Sequence, residues 1–326
     1  MIGPRLPPRT LAFTCGDPAG VGPRGVLASL RAGALPAGIS PVLVGESSVW
    51  RRAGWRPSDG PIRDTALGLP APRPGRPTAG GGKISAASFE EALSLIARGL
   101  AGGLVTAPIS KTSWAQAGYP WRDHTERLAD FAGKPDAQMV LGVPSRGLWC
   151  AIATRHIPLK EVPRKLNARS IVACAELLDE ALRKLGLKKP RLALCALNPH
   201  AGEGGLIGTE EQDLLRPLAK RLKIEGPMPA DSAWRLHAAG VYDGLVCLYH
   251  DQALIPLKAL GGLAGVNWTV GLPFVRTSPA HGTAYDAAAA GRLDPAAAIE
   301  SARLAARLLF YSNILRVANV RSSTVR

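Results

Sequence analysis

The sequence predicts an α/β protein built on a largely parallel sheet. Short apolar runs alternate with segments in which apolar residues recur every three or four positions, the pattern of strands and crossover helices. Hydrophobic residues make up 46% of the chain and charged residues 20%, which is a globular composition. With 326 residues, the chain is long enough for one large unit or for two domains with a core each.

The order of the elements follows from the same periodicities. Strands are predicted at the apolar runs 11–15, 41–44, 103–106, 138–143, 149–154, 191–197, 244–249 and 266–270. Amphipathic helices are predicted at 89–100, 170–185, 209–222 and 295–309. The stretch 56–82 is dense in proline and glycine and is predicted to be a long surface loop.

Composition also narrows the class of function. The formal charge of +15 would suit a nucleic-acid-binding protein, but the 40 Lys and Arg residues are scattered and aromatic residues make up only 5%. No apolar run is long enough to span a bilayer, and prolines interrupt residues 1–9, where an export signal needs a continuous apolar stretch. We therefore expect a cytoplasmic protein that binds neither nucleic acid nor membrane, with five reduced cysteines in its core.

Three histidines directly follow predicted strands: His156, His200 and His250. Ligand crevices in parallel sheets lie outside the carboxyl ends of the strands, so the three side chains could meet at one point. Neutral imidazoles bind Zn²⁺ and Co²⁺, and three of them would leave coordination positions free for a substrate. Any one of these histidines alone is better interpreted as a strand cap, but three in equivalent positions favour a catalytic metal.

The loops around these histidines are rich in glycine and polar residues. The segment 202–205 contains three glycines, which expose backbone N–H groups and leave space for a ligand. Asp251 stands beside His250 and suits either orientation of that ring or proton handling. The segment 16–23 follows a strand but lacks GxGxxG spacing, so it predicts an anion contact or a tight turn rather than a Rossmann site.

Several polar residues are candidates for binding an anionic substrate. Lys258, Asn267 and Arg276 follow His250, and a guanidinium such as that of Arg276 binds phosphate or carboxylate in a bidentate manner. His124 and Thr125 add an imidazole and a hydroxyl in another loop. Each of these residues, taken alone, would be interpreted as a solvated surface group.

The ordered set of motifs GDPAGVGP, TAPISK, HTE, LNPHAGEGG, PADSAW, YHDQ, GVNWTVGLPFVRTS and HGTAYD resembles the 4-hydroxythreonine-4-phosphate dehydrogenase family, from about residue 11 to the C-terminus. The resemblance implies a fold like that of isocitrate and isopropylmalate dehydrogenases, with two α/β domains and a central cleft. It places a discontinuous first domain at 1–118 plus 282–326, and a second at 119–281 with the metal ligands and the dimer interface. It also implies a homodimer in which each active site takes metal ligands from both subunits.

The resemblance assigns roles to the matched residues. The metal ligands would be His156, His200 and His250. The substrate contacts would be His124, Thr125, Lys258, Asn267 and Arg276. The loop for the nicotinamide cofactor, NAD or NADP, would be His281, Gly282 and Thr283. The metal would be Zn²⁺, Mg²⁺ or Co²⁺, and the catalytic candidates are Lys258 and Asp231.

Three positions depart from the family pattern. Arg24 and Ala280 stand where an acidic residue is usual, and Asp123 stands where glycine is usual. Asp123 and Ala280 adjoin residues assigned to ligands. These two departures therefore bear on substrate and cofactor preference.

The implied reaction is metal-assisted oxidation of 4-hydroxythreonine 4-phosphate by NAD⁺, followed by loss of CO₂ to give 3-amino-2-oxopropyl phosphate in pyridoxal phosphate biosynthesis. Lys258, Asp231 and a metal-bound water are all candidates for accepting the hydroxyl proton. Two alternatives stay open. One is a different four-carbon phosphorylated acid, threonate or erythronate 4-phosphate, and the other is a metal-dependent hydrolase or aldolase.

Overall fold

A computed structural model of the chain describes residues 9–135 and 137–323, with side chains described as far as Tyr311. The chain divides into two compact units. The first comprises the residues up to Gln138 together with those from Val266 onwards, and the second is Met139–Gly265. Residues 1–8, on which the export-signal prediction rests, lie outside the described part.

The secondary structure alternates strands and helices along the chain. The strands are β1 (Thr10–Thr14), β2 (Ser40–Val44), β3 (Ile62–Arg63), β4 (Gly103–Thr106), β5 (Gln138–Val143), β6 (Leu148–Thr154), β7 (Leu192–Cys195), β8 (Glu225–Met228), β9 (Gly244–Tyr249), β10 (Val266–Val270) and β11 (Val275–Pro279). The helices are α1 (Gly22–Arg31), α2 (Ser47–Arg52), α3 (Ala79–Ala97), α4 (Lys111–Gln116), α5 (His124–Ala132), α6 (Val162–Lys165), α7 (Ala168–Lys184), α8 (Arg216–Leu222), α9 (Ala230–Ala238), α10 (His250–Gly261), α11 (Tyr285–Ala289) and α12 (Ala296–Ser323).

Strands of the first unit are ordered β3-β2-β1-β4-β11-β10. Neighbouring strands are parallel except β10 and β11. Because side chains alternate along a strand, Leu11 and Phe13 enter one hydrophobic core with Trp50, while Ala12 enters the opposite core with Phe89. Residues of α1 and α12 complete the first core and residues of α3 the second, so both faces of this parallel sheet are covered.

Strands of the second unit are ordered β5-β6-β9-β7-β8, with only the β5–β6 pair antiparallel among the pairings described. Helix α7 packs on β6 and β9 and buries Ile171, Leu178 and Leu182. Gly244 begins β9 beneath this helix, where a Cβ would lie 2.9 Å from Leu178 Cδ2. The chain leaves β6 and β9 toward His156 and His250, respectively.

The structure confirms the α/β class and places a strand at each of the eight predicted runs. The prediction of a loop throughout 56–82 is wrong, because α3 begins at Ala79 and β3 occupies Ile62–Arg63. Three consecutive glycines follow Ala79, and because glycine disfavours a helix, the sequence does not indicate that the helix begins here. Thr78 caps it, since its Oγ1 accepts the N–H of Gly81 at 3.0 Å.

The unit boundaries differ from the expected 118/119 and 281/282. Strand β11 pairs with β4, and β10 pairs with β11, so both belong to the first unit. Helix α5 belongs there too, because His124 packs on Phe89 and Trp114. The first unit therefore contains four of the five predicted substrate contacts, all except Lys258.

One glycine of α3 is required by close packing. A Cβ at Gly82 would overlap the backbone carbonyl of Ser113, whereas a Cβ at Gly80 would meet nothing within 4 Å. We expect Gly82→Ala to lower the free energy of unfolding by about 3 kcal/mol, because the backbone at Ser113 or in α3 would have to move to admit the methyl group. Gly80→Ala, in the same helix, should be neutral or stabilise by about 0.5 kcal/mol. Urea denaturation of the two variants checks this, and equal stabilities would contradict the packing.

All five cysteines are buried and none forms a disulfide, which confirms the prediction of reduced core residues. The sulfur atoms of Cys195 and Cys247, on β7 and β9, lie 4.0 Å apart. Burial raises the pKa of Cys15 to about 12. As for membranes, no helix in the described ranges combines the length and the apolar character needed to cross one.

Candidate functional site

The side chain of Arg276 is buried within the sheet of the first unit, where it is 3% exposed. Its Nη1 donates to Thr269 Oγ1 of β10 at 2.9 Å, and its Nη2 donates to Thr106 Oγ1 of β4 at 2.8 Å. The strands on either side of β11 thus hold the guanidinium between two hydroxyls. Neither hydroxyl carries a negative charge to balance it.

No carboxylate forms a direct ion pair with Arg276 within the described part of the chain, and Asp123, which pairs with Lys111, acts on it only at longer range. Burial lowers the pKa of the guanidinium to about 10, so it stays protonated at neutral pH. An unpaired buried cation is costly in a folded protein. Such a group indicates a site for an anionic ligand.

His124 lies against this guanidinium at the beginning of α5. Arg276 Nη2 donates to its Nδ1 at 3.2 Å, so the proton of the neutral ring is on Nε2. Phe89 and Trp114 pack against the ring, with centroids 4.5 and 5.3 Å away. Burial and the Arg276 cation lower the pKa of His124 well below its usual 6.5, so the ring is neutral at pH 7.

Three buried polar atoms here lack a hydrogen-bond partner among the described residues: Arg276 Nε, His124 Nε2 and Asn267 Oδ1. Asn267 is two residues from Thr269 on β10, so both side chains project from the same sheet face. The N–H groups of Arg276 and His124 can therefore donate to a ligand, and the Asn267 oxygen can accept from it. We call Arg276, His124 and Asn267 the anion cradle.

The neutral state of His124 has a measurable consequence for stability. Its pKa is lower in the folded chain than in the unfolded chain, so its contribution is complete above pH 6.5 and is lost as the pH falls toward the folded value. Below pH 6.5 we expect the wild type to lose stability faster than His124→Gln, by up to about 1.4 kcal/mol per pH unit. Thermal denaturation between about pH 8 and 5 checks this. Parallel curves for the two proteins would contradict a neutral His124.

Asp17, in the segment 16–23, links this loop to helices α4 and α11 of the first unit. It is fully buried, and its Oδ2 accepts hydrogen bonds from Ser113 Oγ at 2.6 Å and from Tyr285 Oη at 2.8 Å. The N–H of Val21 donates to the carbonyl of Thr283 at 3.0 Å. This glycine-rich segment is therefore a scaffold for the predicted cofactor loop.

A small pocket, with a cavity volume of about 20 Å³, adjoins the predicted cofactor loop. His281 and Val21 line this pocket. The carbonyl of Thr283 accepts the N–H of Val21, which places Thr283 next to the pocket, and Gly282 is exposed. The remaining wall comes from the first turn of α1, the end of β4 and the beginning of α12. The residues from these elements include Gly22, Gly25, Val26, Thr106, Pro108, Asp294 and Ala298.

His156 and His250 come together in the second unit. Their strands, β6 and β9, are parallel neighbours with Thr154 opposite Tyr249, and the ring centroids lie 5.6 Å apart. Nδ1 of His250 is 2.7 Å from Asp251 Oδ1, a pairing that directs Nε2 away from the carboxylate. Two imidazoles at adjacent strand ends fit a divalent transition metal.

His200 lies in the segment Pro199–Gly205 after β7, with its side chain 75% exposed. Its Nδ1 is 2.6 Å from Glu203 Oε1, which leaves Nε2 available in the way metal-binding histidines require. In the ranges the structure describes, no three His, Cys, Asp or Glu side chains form a group able to hold a metal. One chain thus brings together two of the three predicted ligands.

The remaining predicted residues lie on helices. Asp231 is exposed in the first turn of α9, and Lys258 is exposed in the last turn of α10. Thr125 follows His124 in the first turn of α5 and is partly exposed.

Two of the three departures from the family pattern have structural explanations. Asp123 caps α5 by accepting the N–H of Glu126 at 3.1 Å, and it pairs with Lys111 at 3.2 Å. Arg24 Nη1 donates to the carbonyl of Gly291 at 3.0 Å, after the end of α11. Nothing in the structure explains Ala280.

Sequence reasoning missed Asp17, Tyr285 and Glu211 as functional candidates. Asp17 and Tyr285 stand inside two of the motifs, GDPAGVGP and HGTAYD, which was the available signal. Glu211 is a buried carboxylate beside the His200 segment. Its burial could not be read from its polar surroundings in the sequence.

The fold and the site together define an α/β enzyme with an anion cradle in one unit and a histidine pair suited to a metal in the other. The sequence profile described as pyridoxal phosphate biosynthetic protein PdxA matches residues 43–305. The chain belongs to this family.

Similar proteins agree with this assignment. The chain is 40% identical over 316 residues to 4-hydroxythreonine-4-phosphate dehydrogenase from Paracoccus denitrificans, with 91% of this chain and 97% of the relative covered. The crystal structure of the enzyme of that name from Klebsiella pneumoniae superimposes with a TM-score of 0.79 at 35% identity, covering 92% and 98% of the two chains. A terephthalate 1,2-cis-dihydrodiol dehydrogenase from Burkholderia xenovorans LB400 gives a TM-score of 0.62 at 29% identity, covering 91% and 97%.

Proposed function

We propose that this chain is an oxidoreductase that oxidises 4-hydroxythreonine 4-phosphate with a nicotinamide cofactor and decarboxylates the product to 3-amino-2-oxopropyl phosphate. The observation that carries the proposal is the anion cradle, with its buried guanidinium and three unpartnered polar atoms. Relatives about 40% identical over nearly their whole length carry the name of this activity.

The anion cradle is assigned to the phosphorylated end of the substrate. Arg276 Nε–H and the Nε2–H of His124 would donate to the anion, and Asn267 Oδ1 would accept a hydrogen bond from a substrate hydroxyl or ammonium group. A neutral His124 donates only through Nε2, because Nδ1 already accepts from Arg276. Thr125 would add a hydroxyl at the same helix end.

The metal role is assigned to His156, His200 and His250, each of which follows a strand of the second unit and carries an imidazole that can bind a metal. A divalent metal bound there would polarise the substrate hydroxyl and lower its pKa. Lys258 and Asp231 remain the candidates for accepting the hydroxyl proton. Because one chain brings only two of these histidines together in its described part, we propose a homodimer in which both subunits supply ligands.

The cofactor role is assigned to the loop His281, Gly282 and Thr283. The adjoining pocket and the link from Thr283 to the segment that contains Asp17 support this role. NAD and NADP are both compatible with it. Five free thiols support a reducing compartment, so we place the reaction in the cytoplasm.

The test is NADH or NADPH formation by purified protein with a divalent metal and 4-hydroxythreonine 4-phosphate. Threonate 4-phosphate and erythronate 4-phosphate are run in parallel, and a chelator provides the control. A chelator-sensitive signal with the amino acid supports the proposal, and a signal only with the sugar acids would change the substrate but keep the chemistry. No signal with any of the three would favour a metal-dependent hydrolase or aldolase instead.

A further inference from the structure

The loop that carries His200 is anchored by one buried carboxylate. Glu211 begins the π-helical turn Glu211–Leu215, and its side chain is 1% exposed. Its Oε1 accepts the backbone N–H groups of Leu197 and Asn198, each at 2.8 Å. Its Oε2 accepts Asn198 Nδ2 at 2.9 Å. These three bonds fix the chain at the entry to the loop.

The loop beyond Asn198 adopts an unfavourable conformation. His200, Ala201 and Glu203 have φ values of 53°, 55° and 45°, in the left-handed region. That region costs roughly 1–2 kcal/mol for each residue with a side chain. Backbone of this kind persists only where its surroundings determine it, and it is common at functional sites.

Glu211 also contacts the middle of the loop. A Cβ on Gly202 would lie 2.7 Å from Glu211 Oε2, so the left-handed turn packs directly on the carboxylate. Gly202 is buried against the carboxylate, whereas His200 and Glu203 in the same loop are exposed. The carboxylate therefore supports the loop at its entry and at its centre, and the His200 ring projects outward.

We propose that Glu211 is a positioning residue, which holds the left-handed loop so that the imidazole of His200 is presented to the metal. The inference rests on the metal role proposed above. Glu211 itself does not touch substrate or metal in this assignment. It acts through the backbone of Leu197 and Asn198 and through contact with Gly202.

The test is calorimetric titration of the metal-free, full-length protein with Co²⁺. Glu211→Gln would place an amide donor where three donors now converge, and we expect about 10- to 100-fold weaker Co²⁺ binding. Glu211→Asp keeps the negative charge but shortens the side chain by one methylene. A loss of about tenfold in Co²⁺ affinity in this variant would show that the position of the carboxylate matters, and not only its charge. The matched control is Glu210→Gln, which removes an adjacent charge and only one bond, to Asn198 Nδ2. It should bind Co²⁺ within about twofold of the wild type.

Amide hydrogen exchange gives a readout independent of metal. In the metal-free Glu211 variants, the amides of Leu197 and Asn198 should exchange at least tenfold faster than in the wild type, while those of β9 are unchanged. Wild-type Co²⁺ affinity and wild-type exchange in both Glu211 variants would overturn the positioning role alone. A wild-type protein that binds no Co²⁺ would instead overturn the metal role, and the positioning role with it.

Discussion

Replacing Arg276 with methionine should lower kcat/KM for the phosphorylated substrate by about a thousandfold. The guanidinium is buried without a carboxylate partner in the described structure, so an anionic ligand would form its main charge-assisted hydrogen bonds. Methionine has a similar length but no donor. The loss should appear mainly in KM, because the contact is made in the ground state as well as in the transition state.

The same substitution should stabilise the protein in the absence of substrate. It removes a cation that burial already disfavours, and we expect the free energy of unfolding to rise by about 2 kcal/mol. Loss of activity together with a gain in stability is the signature of a residue kept for binding. Steady-state kinetics and urea denaturation of the same preparation measure both effects.

Arg127→Met is the matched control. Arg127 forms a bidentate pair with Glu90, with Nε–Oε1 at 2.7 Å and Nη2–Oε2 at 2.8 Å. Its replacement leaves that carboxylate without a cation and bonded only to the Tyr119 hydroxyl, so it should lower stability and leave KM unchanged. If both methionine variants changed stability in the same direction, the idea of an uncompensated charge at Arg276 would fail.

Replacing His200 with alanine should reduce kcat at least about a thousandfold and abolish Co²⁺ binding. The side chain is 75% exposed, so its removal should change the free energy of unfolding by less than about 1 kcal/mol. This combination separates a metal ligand from a residue needed for folding. Kinetics with added Co²⁺, calorimetric titration and thermal denaturation provide the three measurements.

Lys220→Ala, an exposed change on α8, controls for surface substitution nearby. It should leave all three measurements at the wild-type level. An active His200→Ala protein would remove His200 from the metal site. Loss of activity with unchanged Co²⁺ binding would give His200 a different role.

Most of the fold could be predicted from the sequence because buried parallel strands are apolar throughout. Runs such as those of β6 and β9 stand out against their surroundings. Strand β11 was missed for the opposite reason, since its sequence Val-Arg-Thr-Ser-Pro is polar. It is a strand because β4 and β10 pair with it. Of its polar residues, Arg276 belongs to the anion cradle, and Thr277 donates to the carbonyl of Ser301 in α12.

The site was predictable where a motif placed a residue at a strand end, as for His156 and His250. It was not predictable where tertiary packing determines the chemistry. The neutral state of His124 depends on Phe89, Trp114 and Arg276, which are 35, 10 and 152 residues away in the sequence. No local pattern reports that environment, and the same holds for the buried carboxylate of Glu211.

The distribution of the five buried cysteines offers a way to follow opening of the two units separately. Cys15 belongs to the first unit, whereas Cys150, Cys174, Cys195 and Cys247 belong to the second. A thiol-specific alkylating reagent modifies only sulfur atoms that have become accessible, and it prefers the thiolate. The masses of the peptides labelled during partial denaturation would therefore identify which unit opens first, without any engineered probe.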